Sequence, residues 1–441
     1  MEPVDFASFA VNTGIRGGAE DVAATCIRED VKMVRFSNSK VTVNQAWHSS
    51  ILNIMVAVRK RVAIGSIEDL SRGSVKKSIE YLLKTAKITP PKRDYVRLPK
   101  GPFEYNATQK LPPPPEGSTM IKYVEDAIEG ALSKGAERVA GTFLYRKVET
   151  GIATSAGASG YDSLSSFEIS VRAFSDEESS GHANSCARNE KDFYPAQAGE
   201  EAAEIAVKAA NPVQGEAGLY DVVLGPNVFA NLVNDVVNAA SAFNVDAGLS
   251  FMVNRLGERI ASGSLTIIDD GTLSDGLNSR AFDDEGVPTR RTIIVDRGIL
   301  KSYLHNSSTA KKYRCSTTGN AGWIVPQPWN IVVEAGKLSE ERILRELDDG
   351  LYVTNNWYTR FHDYRRGDFS TVCRDGLFRV KGGEIVQSLK GLRISGNLPK
   401  ILRNIVALSS ERRWVKWWEV DVPTLTPHIL VRDVPFTRST K

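Results

Sequence analysis

Between Gly225 and Gly322 the apolar pattern changes period once, and that change limits the folds open to the chain. Behind Gly225-Pro226, Val228, Leu232, Val236 and Ala239 or Ala240 recur at helical spacing, which predicts a helix with proline in its first turn. The pattern then turns to that of strands. Leu265–Ile268 is a short apolar run stopped by Asp269-Asp270-Gly271. Thr292–Val295 pairs with Ile299–Leu304 across Asp296-Arg297-Gly298, where glycine can take the positive φ of a tight turn. Asn306 or Ser307 caps a short helix, SSTAKKY, ahead of the loop Thr317–Gly322.

At 441 residues the chain has room for two or three domains with cores of their own. Apolar residues at 41% and charged residues at 25% are ordinary for a globular protein. The net charge of +3 implies no general attraction to nucleic acid or membrane, and no apolar run is long enough for a membrane helix. Cys26, Cys186, Cys315 and Cys373 are scattered without a Cys-x-x-Cys pair and read as reduced thiols. The start, MEPVDFASFAVNTG, lacks the basic and apolar regions of a secretion signal, so the expected location is the cytoplasm.

Residues 1–97 alternate strand and helix signals and are expected to form an αβ domain. Val31–Phe36 and Val41–Val43 read as strands, Ile51–Val58 and Val62–Ile64 as a hairpin around Arg59-Lys60-Arg61, and Ser71–Lys87 as an amphipathic helix capped by Ser71 or Asp69. Residues 98–118 hold Pro112–Pro115 in an unbroken row, an extended linker or spacer that marks a boundary. Docking of a proline-recognising module is the other reading of that row.

Residues 119–214 are expected to form a middle αβ domain. It would hold helices Ile121–Lys134 and Gly199–Ala210, strands at Arg138–Val148, Gly151–Thr154 and Phe167–Ala173, and a turn region at GASGYDSLSSF. Residues 215–441 are expected to be a β-rich C-terminal domain. It would include an irregular Val325–Trp329, a helix Ser339–Leu347, a hairpin Leu377–Val380 with Ile385–Leu389, and a helix Leu398–Leu408 capped by Asn397. The fold class is α+β.

Chemical motifs are scarce. His48, His182, His305, His362 and His428 stand apart, so no metal pair has helical spacing. The run Asp283-Asp284-Glu285-Gly286 with Asp269, Asp270 and Asp275 fails the EF-hand spacing and reads as solvated turns. Ser308-Thr309-Ala310-Lys311 fits Ser-x-x-Lys but reads as a helix start, and there is no Gly-x-Ser-x-Gly, P-loop or Gly-x-Gly-x-x-Gly. Arg412–Trp418 is basic and aromatic. Trp414, Trp417 and Trp418 are expected at a subunit or domain contact, with nucleotide stacking the weaker alternative.

The phrases RLGERI, LTIIDDGTL, AFDDEGVPTRR, GILKSYL and TTGNAG, in that order, closely resemble the TldD/PmbA family, and weaker agreement runs from Val22 to Val431. The resemblance implies a metallopeptidase made of two subunit types. In the TldD type a His-Glu-x-x-x-His motif on a helix holds zinc, with the glutamate as general base and a later cysteine completing the site. Imidazoles five positions apart point about 140° apart on a regular helix, so the motif needs a locally widened turn. The PmbA type, also called TldE, lacks the motif. Laid on the TldD phrase, GPNVFANLVNDVVNA puts Asn234 at the first histidine, Asp235 at the glutamate and Ala239 at the second histidine. The last cysteine, Cys373, falls short of the family position beyond Arg403.

The resemblance therefore implies a TldE-type subunit with no catalytic or metal-ligating residue of its own. It would bind a TldD-type chain that carries the zinc, in a heterodimer that cleaves unfolded or short peptides held extended on a sheet edge. Asn234 and Asp235 at the degenerate site and the loop Thr317, Thr318, Gly319 and Asn320 are the candidate contributors. The alternative is a non-enzymatic, peptide-binding or modulating homodimer.

Overall fold

The computed structural model describes residues 1–106 and 111–439. Helix α1 (Pro3–Arg16) leads into three antiparallel strands, β1 (Asp21–Ser37), β2 (Lys40–Val58) and β3 (Arg61–Ile67). The reversals at Asn38-Ser39 and Arg59-Lys60 are two-residue turns with both residues at positive φ, 50° and 58° in the first and 51° and 62° in the second. That mirror-image turn carries the twist antiparallel strands require. The short strands expected at Val31–Phe36, Val41–Val43 and Ile51–Val58 are therefore pieces of two long ones. Helix α2 (Arg72–Ile88) starts at the predicted cap, where Ser71 Oγ accepts from the Ser74 N–H.

Residues 107–110 of the expected linker lie outside the described residues. Beyond them come α3 (Gly117–Ser133), β4 (Arg138–Thr154), β5 (Ser159–Phe174), β6 (Ser180–Ala187) and α4 (Pro195–Lys208). Two sequence expectations fail here. Gly151–Thr154 continues β4, and most of GASGYDSLSSF is strand, paired with β4 from Ser159 onward. Its Ser163, Ser165 and Ser166 are buried, because the strand is fixed by β4 on one side and β6 on the other and not by its own weak β propensity.

The strand order is β3-β2-β1-β4-β5-β6, with β1 hydrogen-bonded to β4 from Ala23↔Thr154 to Phe36↔Gly141. The proline-rich stretch thus separates two segments of chain that share one sheet. Helices α1 and α2 seal part of one face over Val22, Leu52, Ile54, Val75 and Ile79. Helices α3 and α4 seal the rest over Phe143, Phe167, Val171, Ala127 and Ala202.

The C-terminal half adds β7 (Val213–Gln214), β8 (Gly218–Leu224), α5 (Pro226–Ala239), α6 (Ala242–Asp246), β9 (Ile267–Asp270), β10 (Arg291–Asp296), β11 (Ile299–Leu300), α7 (Ser307–Tyr313) and β12 (Ile331–Val333). Then come α8 (Glu340–Arg345), β13 (Asp349–Asp363), β14 (Asp368–Lys381), β15 (Glu384–Lys390), β16 (Leu392–Asn397), α9 (Leu398–Arg403), β17 (Ile405–Trp417) and β18 (Val420–Arg438). All twelve strands join one sheet, with α5 packed on β18 and β13. The predicted caps Asn306 and Asn397 each accept a main-chain N–H at a helix start, and Ser339, expected as the first residue of its helix, does the same as a cap. The helix expected to run to Leu408 stops at Arg403, because Ile405 has entered β17 and pairs with Val431. The fold is mixed α+β with a β-rich C-terminal region, as the sequence implies.

Candidate functional site

Helix α5 is the predicted helix, opened by Pro226 at its first turn. Its apolar residues Val228, Leu232, Val233, Val236 and Val237 are buried in the C-terminal core. A second stripe runs along it that the sequence reading passed over. Asn227, Asn231, Asn234 and Asn238 fall at i, i+4, i+7 and i+11, a helical spacing visible in the sequence.

Three of these amides staple the helix to surrounding strands. Asn227 Oδ1 accepts from Asn184 Nδ2 at 2.8 Å. Asn231 donates to the Glu419 carbonyl at 2.6 Å and accepts from Asn356 Nδ2 and Thr359 Oγ1. Asn234 is the most heavily engaged. Its Nδ2 donates to the Ala230 carbonyl (2.9 Å), the Thr424 hydroxyl (2.9 Å) and the Val422 carbonyl (3.3 Å), and its Oδ1 accepts from the Val422 N–H at 2.9 Å.

Asp235, one residue on, is half-buried and has no hydrogen-bond or ion-pair partner among the described residues. It borders a cavity of about 260 Å³ shared with Asn238, Ala239, Asn244, Leu249, Phe251, Phe361 and Tyr364. Phe361 and Tyr364 stack there with ring centroids 5.2 Å apart. Burial, with Glu419 and Asp421 adding to it, pushes the Asp235 carboxyl up to about 7. Asp235 is thus the one member of the expected site with unused bonding capacity beside open space.

The predicted loop lies elsewhere. Thr318, Gly319 and Asn320 are buried, and Thr317 is half-exposed. Asn320 Nδ2 donates to Asp269 Oδ2 at 2.6 Å and to the Gln327 carbonyl at 2.9 Å, while Trp329 Nε1 donates to the Gly319 carbonyl at 2.8 Å. Gly319 sits at φ +70°, where an added Cβ would come 2.5 Å from the Pro288 carbonyl oxygen.

Of the acidic residues read as solvated turns, Asp275 is exposed, but Asp269, Asp270, Asp283 and Asp284 are buried. Asp269 and Asp283 are 0% and 1% exposed. Asp283 accepts from the N–H groups of Glu285, Val287 and Ala321, each at 2.9 Å. Burial raises Asp269 to about 7 and Asp284 to about 6, and raises Asp283 and Glu285 as well. Main-chain amides took the place of water there, which is why a run of acids beside glycine misread as a surface turn.

The tryptophans of the basic segment divide. Trp417 is 4% exposed, 4.5 Å from the His182 ring and 6.2 Å from Trp357 between ring centroids, so it lies inside this chain. Trp414 Nε1 donates to Asp275 Oδ2 at 3.3 Å, and Trp418 is 56% exposed. Arg413 Nη1 bonds both Glu201 oxygens at 2.6 and 2.7 Å, tying β17 to α4. His182 is buried, and burial depresses it to about 4.

A helix packed on a β-rich C-terminal sheet, beside a six-stranded sheet layered with four helices, defines the class of protein. Residues 217–438 match the model of the PmbA/TldA metallopeptidase C-terminal domain and residues 110–210 that of its central domain. The chain belongs to the PmbA/TldD family.

A metalloprotease of Methanothermobacter thermautotrophicus is 31% identical over 221 residues, 49% of this chain and 48% of that one. The metalloprotease PmbA of Escherichia coli O157:H7 is 35% identical over 191 residues, 42% of this chain and 41% of its own. The chain spans about half the length of the curated relatives it matches. TldE from Thermococcus kodakarensis has the same fold, with a TM-score of 0.87 over 98% of this chain and 100% of that one at 21% identity.

The family name implies a metal, and the residues at the expected positions do not fit one. Asn234 has both polar atoms engaged by α5 and β18, and an amide is a poor ligand beside imidazole even when free. Ala239 offers a methyl group. Asp235 alone would be one ligand, and no group of three His, Cys, Asp or Glu side chains with ligand geometry occurs among the described residues. No helix among those residues is long and apolar enough to cross a membrane.

Proposed function

We propose that this chain is the non-metal-binding subunit of a heteromeric zinc metallopeptidase of the TldD/TldE type, cleaving unfolded or short peptides in the cytoplasm. A TldD-type chain would supply the zinc and the general base. The observation that carries this reading is the engagement of Asn234. A side chain that closes three hydrogen bonds between a helix and β18, and a fourth within the helix, is a structural staple at the position where a first ligand would stand.

What remains for a peptide to meet is the Asp235 cavity, whose Phe251, Phe361 and Tyr364 walls suit an apolar side chain. Thr317 is the one half-exposed member of the predicted contact loop.

Reconstitution tests the reading. The purified chain should carry no stoichiometric zinc by metal analysis and should cleave nothing alone, and a chelator-sensitive peptidase should appear on mixing with a TldD-type chain. One tightly held zinc per chain, with proteolysis by the isolated protein, would sink it.

A further inference from the structure

The cavity beside Asp235 carries charge of one sign. Among the described residues no lysine, arginine or histidine lines it or ion-pairs with Asp235, and the charged groups that act on that carboxylate, Glu419 and Asp421, are both acidic. Arg365, next in sequence to the lining Tyr364, is turned to the Gly248 carbonyl, to which its Nε donates at 2.7 Å. The two amides of the wall are engaged with each other: Asn244 Nδ2 donates to the Asn238 carbonyl at 2.8 Å and to Asn238 Oδ1 at 3.2 Å. A recess with acidic groups and no cation of its own focuses an attraction for positive charge.

The remaining wall is apolar. Phe251 is buried and Phe361 half-buried, whereas Leu249 and Tyr364, 50% and 54% exposed, leave the recess open to solvent. The rings of Phe361 and Tyr364 lie within 12° of parallel and give it a flat aromatic side. Aromatic faces beside a carboxylate suit an organic cation on an apolar stem, because the stem covers the rings while the charged head reaches the acid. At about 260 Å³ the recess has room for one long side chain.

We propose that this recess takes a lysine or arginine side chain of a peptide, with its ammonium or guanidinium group bonded to Asp235 and its methylenes along Phe251, Phe361 and Tyr364. The inference rests on the reading of this chain as a peptide-handling subunit and adds a side-chain preference to it. A free amino terminus carries the same charge without the stem, so it would leave the aromatic wall uncovered.

Calorimetric titration of the isolated full chain at low salt tests this with three peptides. They are acetyl-Ala-Lys-Ala-amide, its norleucine counterpart with a similar stem and no charge, and Ala-norleucine-Ala-amide with a free amino terminus. The lysine peptide should bind about tenfold more tightly than either of the others, the gain expected of a hydrogen bond between charged groups. Asp235→Asn should abolish that preference and leave the blocked norleucine peptide binding as before. Tyr364→Ala, at an exposed position, should weaken the two blocked peptides alike, because it removes wall and not charge.

Absent or equal binding of the lysine and norleucine peptides, a lysine preference that survives Asp235→Asn, or tighter binding of the peptide with the free amino terminus would each overturn the inference. A chain without the preference that still yields a chelator-sensitive peptidase on mixing with a TldD-type chain would lose this inference and keep the subunit reading. A chain that prefers lysine through Asp235 yet yields no peptidase would do the reverse.

Discussion

Two groups of buried carboxylates in the C-terminal half carry the same electrostatic penalty and answer it in opposite ways. Asp269 and Asp235 are both pushed up to about 7, chiefly by burial. Asp269 is met by the Asn320 amide and the Trp329 N–H, each at 2.6 Å, and its neighbour Asp283 takes three main-chain N–H bonds. Asp235 has like-charged Glu419 and Asp421 nearby and no donor. Burial alone therefore does not separate scaffold from site. The presence or absence of a donor does, because a satisfied carboxylate holds loops in place and an unsatisfied one beside a cavity keeps its bonding capacity for something else.

The largest expected effect breaks the satisfied group. Asp283→Ala leaves three buried N–H groups without an acceptor, a loss of about 3–5 kcal/mol by analogy with other buried polar networks. Chemical denaturation should show it as a large fall in midpoint at unchanged slope. Gly319→Ala comes next, at about 2–3 kcal/mol, because it puts a side chain at positive φ against the Pro288 carbonyl. If either variant is as stable as wild type, the hub is not the rigid element described.

Asn234→Ala should cost less, about 1–2 kcal/mol, since the Thr424 hydroxyl and the Val422 N–H lose a partner near the edge of the core. Zinc content should be unchanged in that variant, whereas loss of bound zinc would restore Asn234 to a ligand role.

This contrast also explains what could be read from the sequence. Caps at Ser71, Asn306 and Asn397 were legible because one side chain and the next turn of backbone decide them. The α5 helix was legible from its apolar period. Long-range pairing was not. Nothing local in Gly151 or Ser159–Ser166 announces a strand, because β1, β5 and β6 impose it through partners far along the chain. The Asp235 position came from a family phrase, but its isolation did not, since Glu419 and Asp421 reach it only when the β17–β18 turn folds beside α5. The fate of the acidic run depended in the same way on Ala321 and Trp329.

The smallest effect is the most diagnostic. In the folded chain the Asp235 carboxyl titrates near 7 and in the unfolded chain near its ordinary value of 3.8, so folding favours the protonated form. The charged form is penalised progressively as pH rises between those values, and the penalty is complete above the higher one. Asp235→Asn removes a charge that has no partner and should stabilise the protein at pH 8 by about 1 kcal/mol, after allowance for solvent screening at a half-buried group. The gain should shrink as pH falls toward 5, because wild-type Asp235 then takes up its proton. Asp269→Asn shares the direction of the shift but would disturb the Trp329 and Asn320 bonds, so it should destabilise at both pH values. Thermal melts of the two variants at pH 5 and 8 separate the cases. A stabilised Asp235→Asn marks a carboxylate kept at a cost to the fold, whereas a destabilised one reveals a donor and makes the two groups alike.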